Sequence, residues 1–178
     1  MEQVTYNGLT FEPYILREQI DKRIKELAAT ITTDCGGKMP LFLCVLNGAF
    51  PFASDLFRAV DFDAEISFIR LKSYSGMGST GEVKEVVGLT EDIKGRTVIV
   101  IEDIVDTGKT MQNMLETLGT REPASVQIAS LFVKPARLKV PVDVKYGVFT
   151  IPDRFIVGFG LDYDRLGRNL PDIYDVVE

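Results

Sequence analysis

The amino-acid sequence predicts an α/β fold, a mostly parallel twisted sheet flanked by helices. Short runs of β-branched and apolar residues alternate along the chain with longer stretches of helical periodicity, the pattern of repeated strand–helix units whose strands run parallel. The length of 178 residues is that of one ordinary domain, enough to bury a core without a second. A hydrophobic content of 46% against 26% charged residues places the chain in the globular range.

The elements follow in order. "EPYILREQIDKRIKELAATIT" sets Ile15, Ile20, Ile24, Leu27 and Ile31 at near-helical spacing with charges between them, which predicts an amphipathic helix over 12–32. "PLFLCVLNG" is a continuous apolar run after Pro40 that closes on Asn47-Gly48, a strand and a tight turn. "AFPFASDLFRAV" follows as a helix with Pro51 in its first turn, where a missing N–H costs nothing. "AEISFIRLKSY" reads as a second strand, "TVIVIED" as a third followed by the helix "GKTMQNMLETLGT", and "SVQIASLFVK" as a fourth. Between the second and third strands, "SYSGMGSTGEV" is rich in Gly and Ser and strongly polar, the composition of a mobile surface loop or hairpin tip. There is no internal repeat.

Composition excludes several kinds of chemistry. The chain has no His, which removes Ser-His-Asp and Cys-His nucleophilic arrangements and the usual His-based zinc sites, so any acid or base must be Asp, Glu, Lys or Tyr. Cys35 and Cys44 are too few for a disulfide framework and read as small, reduced, largely buried residues. A formal net charge of −6 argues against binding a nucleic-acid backbone, which depends on clustered Lys and Arg. No segment approaches the roughly 18 uninterrupted apolar residues of a membrane span. The N-terminus lacks a basic stretch followed by an apolar one, so it reads as mature protein with the cytoplasm as the expected compartment.

The stretch "VIVIEDIVDTGKTM", residues 98–111, carries the most chemistry. Ligands of parallel α/β sheets bind at the carboxyl ends of the strands, where Glu102 and Asp103 fall. The following "DTGKT" leads into a helix N-terminus, where free backbone N–H groups, the positive end of the helix dipole and the Thr107 and Thr110 hydroxyls can enclose a phosphate. A nucleotide-hydrolysing P-loop, GxxxxGK[ST], needs Gly where this chain has Asp103, whose charge would repel a polyphosphate. A ribose 5-phosphate fits better. The nest holds its phosphate, and the acidic pair accepts hydrogen bonds from the sugar hydroxyls or supports a hydrated Mg²⁺.

This stretch resembles the phosphoribosyl-diphosphate (PRPP) binding motif of phosphoribosyltransferases, and its neighbours resemble the hypoxanthine-guanine branch of that family, from about residue 40 to about residue 170. The resemblance implies the type I phosphoribosyltransferase fold, with a core at about 36–150 and a small hood formed by N- and C-terminal segments, the latter at about 151–178. It assigns Glu102, Asp103, Val105, Asp106, Thr107, Gly108, Lys109 and Thr110 to PRPP binding, with Glu102 and Asp103 also ligating Mg²⁺. "LCVLNGAF" is similar to the family's pyrophosphate loop, Leu46, Asn47 and Gly48, where a cis peptide often joins the first two; many relatives carry Lys at the Asn47 position. "LKSYSGMGSTGEV" is similar to the loop that closes over the reacting centre, starting at Ser73 and Tyr74.

"LFVK" ends in Lys134, which alone reads as a lysine at a strand end and in the family matches the lysine that touches the purine 6-oxo group. "PDRFIVGFGLDYDRLGRNLPDIY" resembles the family's base-binding segment, with Phe155 stacking on the purine, Ile156 offering backbone groups, Asp162 binding a second Mg²⁺ and Arg168 contacting pyrophosphate. Taken singly these would be a core aromatic, a loop acid and a solvated charge. Their joint order and spacing carries the assignment. The resemblance further implies Asp106 as general base, a 6-oxopurine and PRPP as substrates, IMP or GMP as product, and a homodimer or homotetramer. A nucleotide-binding regulator on the same fold is the alternative from another class, and a pyrimidine-using transferase the one within the family.

Overall fold

The computed structural model describes residues 2–73 and 83–177. In chain order the elements are β1 (Val4–Tyr6), β2 (Leu9–Ile15), α1 (Arg17–Cys35), β3 (Leu41–Val45), α2 (Phe50–Ala59), β4 (Glu65–Ser73) and β5 (Val83–Val87). They continue with β6 (Thr97–Val105), α3 (Lys109–Gly119), β7 (Ser125–Val133), β8 (Tyr146–Thr150), β9 (Ile156–Val157) and β10 (Ile173–Val176), with a 3-10 turn at Pro135–Arg137 after β7. The expected α/β architecture is present. Six strands form a sheet in the order β5-β4-β3-β6-β7-β8, in which every neighbouring pair is parallel except β4 and β5.

This sheet separates two apolar cores. Strand residues alternate between its faces, so Phe42, Cys44, Ile99 and Ile101 meet Ile24, Ile31, Phe52 and Leu56 of α1 and α2 on one side. Leu41, Leu43, Val98 and Val100 meet Met111, Met114 and Leu118 of α3 on the other. With both faces covered, β3 is buried at every position, which is why it reads as an unbroken apolar run and not an alternating one. Cys35 and Cys44 are both buried free thiols, as expected.

A second, four-stranded antiparallel sheet, β1-β2-β10-β9, forms the hood. Its first hairpin turns at Asn7-Gly8, both with positive φ (48° and 83°), the geometry that two-residue hairpin loops favour. Here the structure corrects the sequence reading, because Glu12–Ile15 are strand and the helix begins only at Arg17. Pairing with β10 overrides the helical spacing: Ile15 faces Ile173 and Pro13 faces Tyr174, with Tyr14 the extra residue at a register shift. Pro13 is tolerated because β1 pairs with β2 only over Leu9–Phe11. The third predicted strand also runs two residues past the carboxylates, to Val105.

Among the described residues no helix is long and apolar enough to cross a membrane.

Candidate active site

The sheet order fixes where a ligand can enter. From β3 the chain moves outward to β4 on one side, and from β6 it moves outward to β7 on the other, so the carboxyl ends of β3 and β6 form a topological switch point. Pairing between them stops at Cys44 and Ile101, whereas β6 stays paired with β7 through Val105. β6 is therefore freed from β3 at Glu102 and Asp103, while Glu102 and Ile104 on either side of Asp103 stay paired with Ser130 and Phe132 of β7.

The β3 side of this mouth is a tight turn. The Leu46–Asn47 peptide is cis, and the Leu46 N–H donates to the Ile69 carbonyl at 2.8 Å. Arg70 Nη2 donates to Asn47 Oδ1 at 3.1 Å, so a guanidinium from β4 stands where the expected pyrophosphate loop carries no cation of its own. Gly48 lies between two walls. A methyl group on its Cα would overlap the Asp103 carboxylate, and one on Gly160 would overlap the Gly48 carbonyl oxygen, so both close approaches need glycine. Gly160 also sits at φ +102°, a region few other residues adopt. These contacts join the β3 turn, the β6 end and the hood.

Glu102 is 8% exposed. Burial, and then the charge of Asp103, push its carboxyl well above the ordinary range; burial also raises Asp103. Glu102 Oε1 accepts the Asp103 N–H at 3.0 Å and Asp103 Oδ1 accepts the Ile104 N–H at 2.7 Å. Two adjoining desolvated carboxylates suit a hydrated Mg²⁺, which keeps most of its water and uses one or two protein carboxylates. Asp162 does not complete a cluster with them, for no group of three potential ligands forms among the described residues. It pairs with Arg168 Nη2 at 2.5 Å and accepts the Arg165 N–H at 2.7 Å, while Arg168 Nη1 donates to the Gly160 carbonyl at 2.6 Å.

After β6 the chain turns through Asp106, Thr107 and Gly108 into α3. Gly108, at φ +80°, caps the helix, and side chains of Leu138, Val140 and Val142 pack over it. A cavity of about 280 Å³ opens here, lined by Glu102, Ile104, Asp106, Thr107, Gly108 and Thr110 among others. The helix N-terminus and the two threonines thus surround one anion-sized space. Lys109 is exposed and does not line it. Val105 is buried, so only its backbone faces the loop.

A second cavity of about 850 Å³ lies on the β7 side, and its lining includes Asp106, Lys134, Arg137, Asp153 and Phe155. Lys134 is 8% exposed, unlike a solvated strand-end lysine; its Nζ donates to the Arg154 carbonyl at 2.6 Å and meets Asp153 Oδ1 at 3.3 Å. Asp153 Oδ2 in turn accepts from Arg137 Nη1 at 3.2 Å, and Arg137 also reaches both oxygens of Asp106, Nε to Oδ1 at 3.0 Å and Nη2 to Oδ2 at 3.4 Å. The sequence does not single out Arg137, which lies outside every quoted motif, or Asp153, which lies inside the base-binding stretch but is given no role there. Phe155 is 44% exposed and braced edge-on by Tyr163, ring centroids 5.5 Å apart at 89°. The Ile156 side chain is buried and its backbone belongs to β9. Ser73 is the last residue of β4, and Tyr74, the second residue assigned to the closing loop, lies outside the described residues.

Comparison with known proteins places the chain in one family. Residues 15–164 match the family model of the phosphoribosyl transferase domain. The chain is 44% identical over 156 residues, 87% of either chain, to the hypoxanthine-guanine phosphoribosyltransferase of Streptococcus thermophilus (strain CNRZ 1066). It is 43% identical over 172 residues to the hypoxanthine phosphoribosyltransferase of Salmonella typhimurium, covering 94% of this chain and 96% of that one. A crystal structure of a hypoxanthine phosphoribosyltransferase from Staphylococcus aureus superposes with a TM-score of 0.88 at 39% identity, covering 99% of this chain and 98% of the other.

Proposed function

Since this chain belongs to the phosphoribosyltransferase family, we propose that it is a purine salvage enzyme that joins hypoxanthine or guanine to the ribose 5-phosphate of PRPP, giving IMP or GMP and pyrophosphate. One observation carries the reading. Asp106 lines both cavities, the anion-sized one at the α3 N-terminus and the larger one that holds Lys134 and Phe155. A base and a sugar phosphate bound in the two would meet beside its carboxylate.

The chemistry follows from that position. The 5-phosphate takes the free N–H groups and hydroxyls around Thr107 and Thr110. The purine lies against the exposed Phe155 ring, and its 6-oxo oxygen accepts from Lys134 Nζ in place of one of the present acceptors. As the C1–oxygen bond of PRPP breaks and its electron pair leaves with pyrophosphate, the imidazole nitrogen of the base forms the new bond to C1. Asp106 accepts the proton that this nitrogen sheds. Arg168, held near Gly160, neutralises charge on the departing group once it leaves Asp162. Mg²⁺ bound by Glu102 and Asp103 would supply further neutralisation of the diphosphate.

The same reading takes residues 1–178 as one catalytic unit and the protein as a homodimer or homotetramer. Phe50 and Phe68, 57% and 45% exposed, suit a subunit contact.

Asp106→Asn tests the central assignment, because the amide keeps the shape of the side chain and cannot take a proton. Turnover of hypoxanthine with PRPP should fall by roughly 10² to 10⁴. Turnover within about threefold of the parent would remove Asp106 as the base.

A further inference from the structure

We propose that Arg137 is a positioning residue for Asp106, fixing the carboxylate that receives the purine proton and tying it to the lysine that reads the purine 6-oxo group. The proposal deepens the function above and rests on Asp106 as general base.

Backbone hydrogen bonds frame this arginine. The Lys134 N–H donates to the Val105 carbonyl at 3.0 Å and the Lys139 N–H to the Thr107 carbonyl at 2.9 Å, so the 3-10 turn is stitched to the backbone on both sides of Asp106. Within the turn, Arg137 N–H closes back on the Lys134 carbonyl at 3.0 Å. From this frame the guanidinium reaches both oxygens of Asp106 through Nε and Nη2, and its remaining arm reaches Asp153. Asp153 shares its other oxygen with Lys134. Asp106, Arg137, Asp153 and Lys134 thus form one continuous ionic chain along the wall of the larger cavity.

The fork suits orientation. Two parallel N–H donors fix the plane of a carboxylate as a single ammonium cannot, and each oxygen keeps a second lone pair that can accept the purine N–H. Without the fork, the Asp106 side chain regains its rotamer freedom, and misplacing a reacting group by about 1 Å can cost roughly 10²-fold in rate. The pair adds little to folding, because Arg137 and Asp106 are 44% and 38% exposed. A conspicuous catalytic effect and a small stability effect are therefore expected from the same substitution.

A double-mutant cycle with PRPP and hypoxanthine separates the possibilities. Arg137→Met should lower kcat by about 10- to 100-fold, with KM for PRPP changed less than about threefold and Tm by less than about 4 °C. Arg137→Lys should recover only part of the loss, since an ammonium restores charge and not the fork. In an Asp106→Asn background, Arg137→Met should cost less than about threefold more, because its target can no longer act. Equal losses in both backgrounds, full activity of Arg137→Met, or full rescue by lysine would each overturn the positioning role. Parental turnover by Asp106→Asn alone would instead strike at the general-base reading on which the proposal stands.

Discussion

Replacing Glu102 with glutamine should stabilise the ligand-free protein at neutral pH, although the residue lies in the candidate site. The carboxyl is buried, its one backbone donor is the Asp103 N–H, and a second carboxylate stands beside it. Its pKa in the folded protein is therefore raised above the unfolded value of about 4.3. The folded state then binds more protons than the unfolded state between these two values, so stability is lost as pH rises through that window, and the loss is complete above the folded pKa. The substituted amide would resemble the protonated carboxyl, with its N–H able to donate to Asp103.

Relieving this site of a buried charge beside Asp103 is worth about 1–3 kcal/mol by mutational experience with buried polar groups. At roughly 2–4 °C per kcal/mol for a chain of this size, Glu102→Gln should raise Tm by about 2–12 °C at pH 7.5 and by little near pH 4. Thermal melts of both proteins across pH check this. Saturating PRPP with Mg²⁺ should reverse the order, since the parent alone offers a carboxylate at that position. A variant less stable than the parent at pH 7.5, or a Tm difference independent of pH, would refute the reasoning.

Two other substitutions probe neighbouring parts of the site. A 6-oxo group accepts from the Lys134 ammonium, whereas the 6-amino group of adenine would face one donor with another, so the parent should prefer hypoxanthine over adenine by roughly 10⁴ in kcat/KM. Lys134→Met should shrink that ratio, chiefly by lowering hypoxanthine use, and an unchanged ratio would return Lys134 to a purely structural part. Gly48→Ala sets a methyl against the Asp103 carboxylate and should displace it, raising KM for PRPP and costing about 1–3 kcal/mol of stability; parental PRPP saturation curves and Tm would show that the turn has slack.

What the sequence reveals and hides follows the range of the interactions concerned. β6 and α3 are legible because their signals are local: a β-branched run, then two carboxylates, then small polar residues opening a helix. The start of α1 is ambiguous because Ile15 fits helical spacing as well as it fits a strand, and only its pairing with Ile173 decides. The first hairpin does leave a local trace, Asn7-Gly8 between short apolar stretches. β8 leaves less, since Gly147 is a poor strand former and only Tyr146 and Val148 are fully buried, with Phe149 half-buried against Phe132. The ionic chain through Arg137 and Asp153 joins the α3 approach, the 3-10 turn and the segment before β9, and no spacing in the primary structure marks such a convergence. Asp162 and Arg168 are singled out by resemblance for separate contacts, yet they hold each other.

The hood has a consequence for how the protein is made. β10 joins β2 to β9, and Val176 N–H donates to the carbonyl of Phe155, so the aromatic wall of the larger cavity is braced by residues synthesised long after the Asp106–Gly108 turn. In N- to C-terminal synthesis every strand of the central sheet, through β8, is made before residues 173–176. β2 must meanwhile wait without its main partner, its edge open to neighbours on the same polysome. A nascent chain at that stage would carry the turn around Thr107 and Thr110 while the Phe155 wall of the larger cavity still lacked its brace from β10.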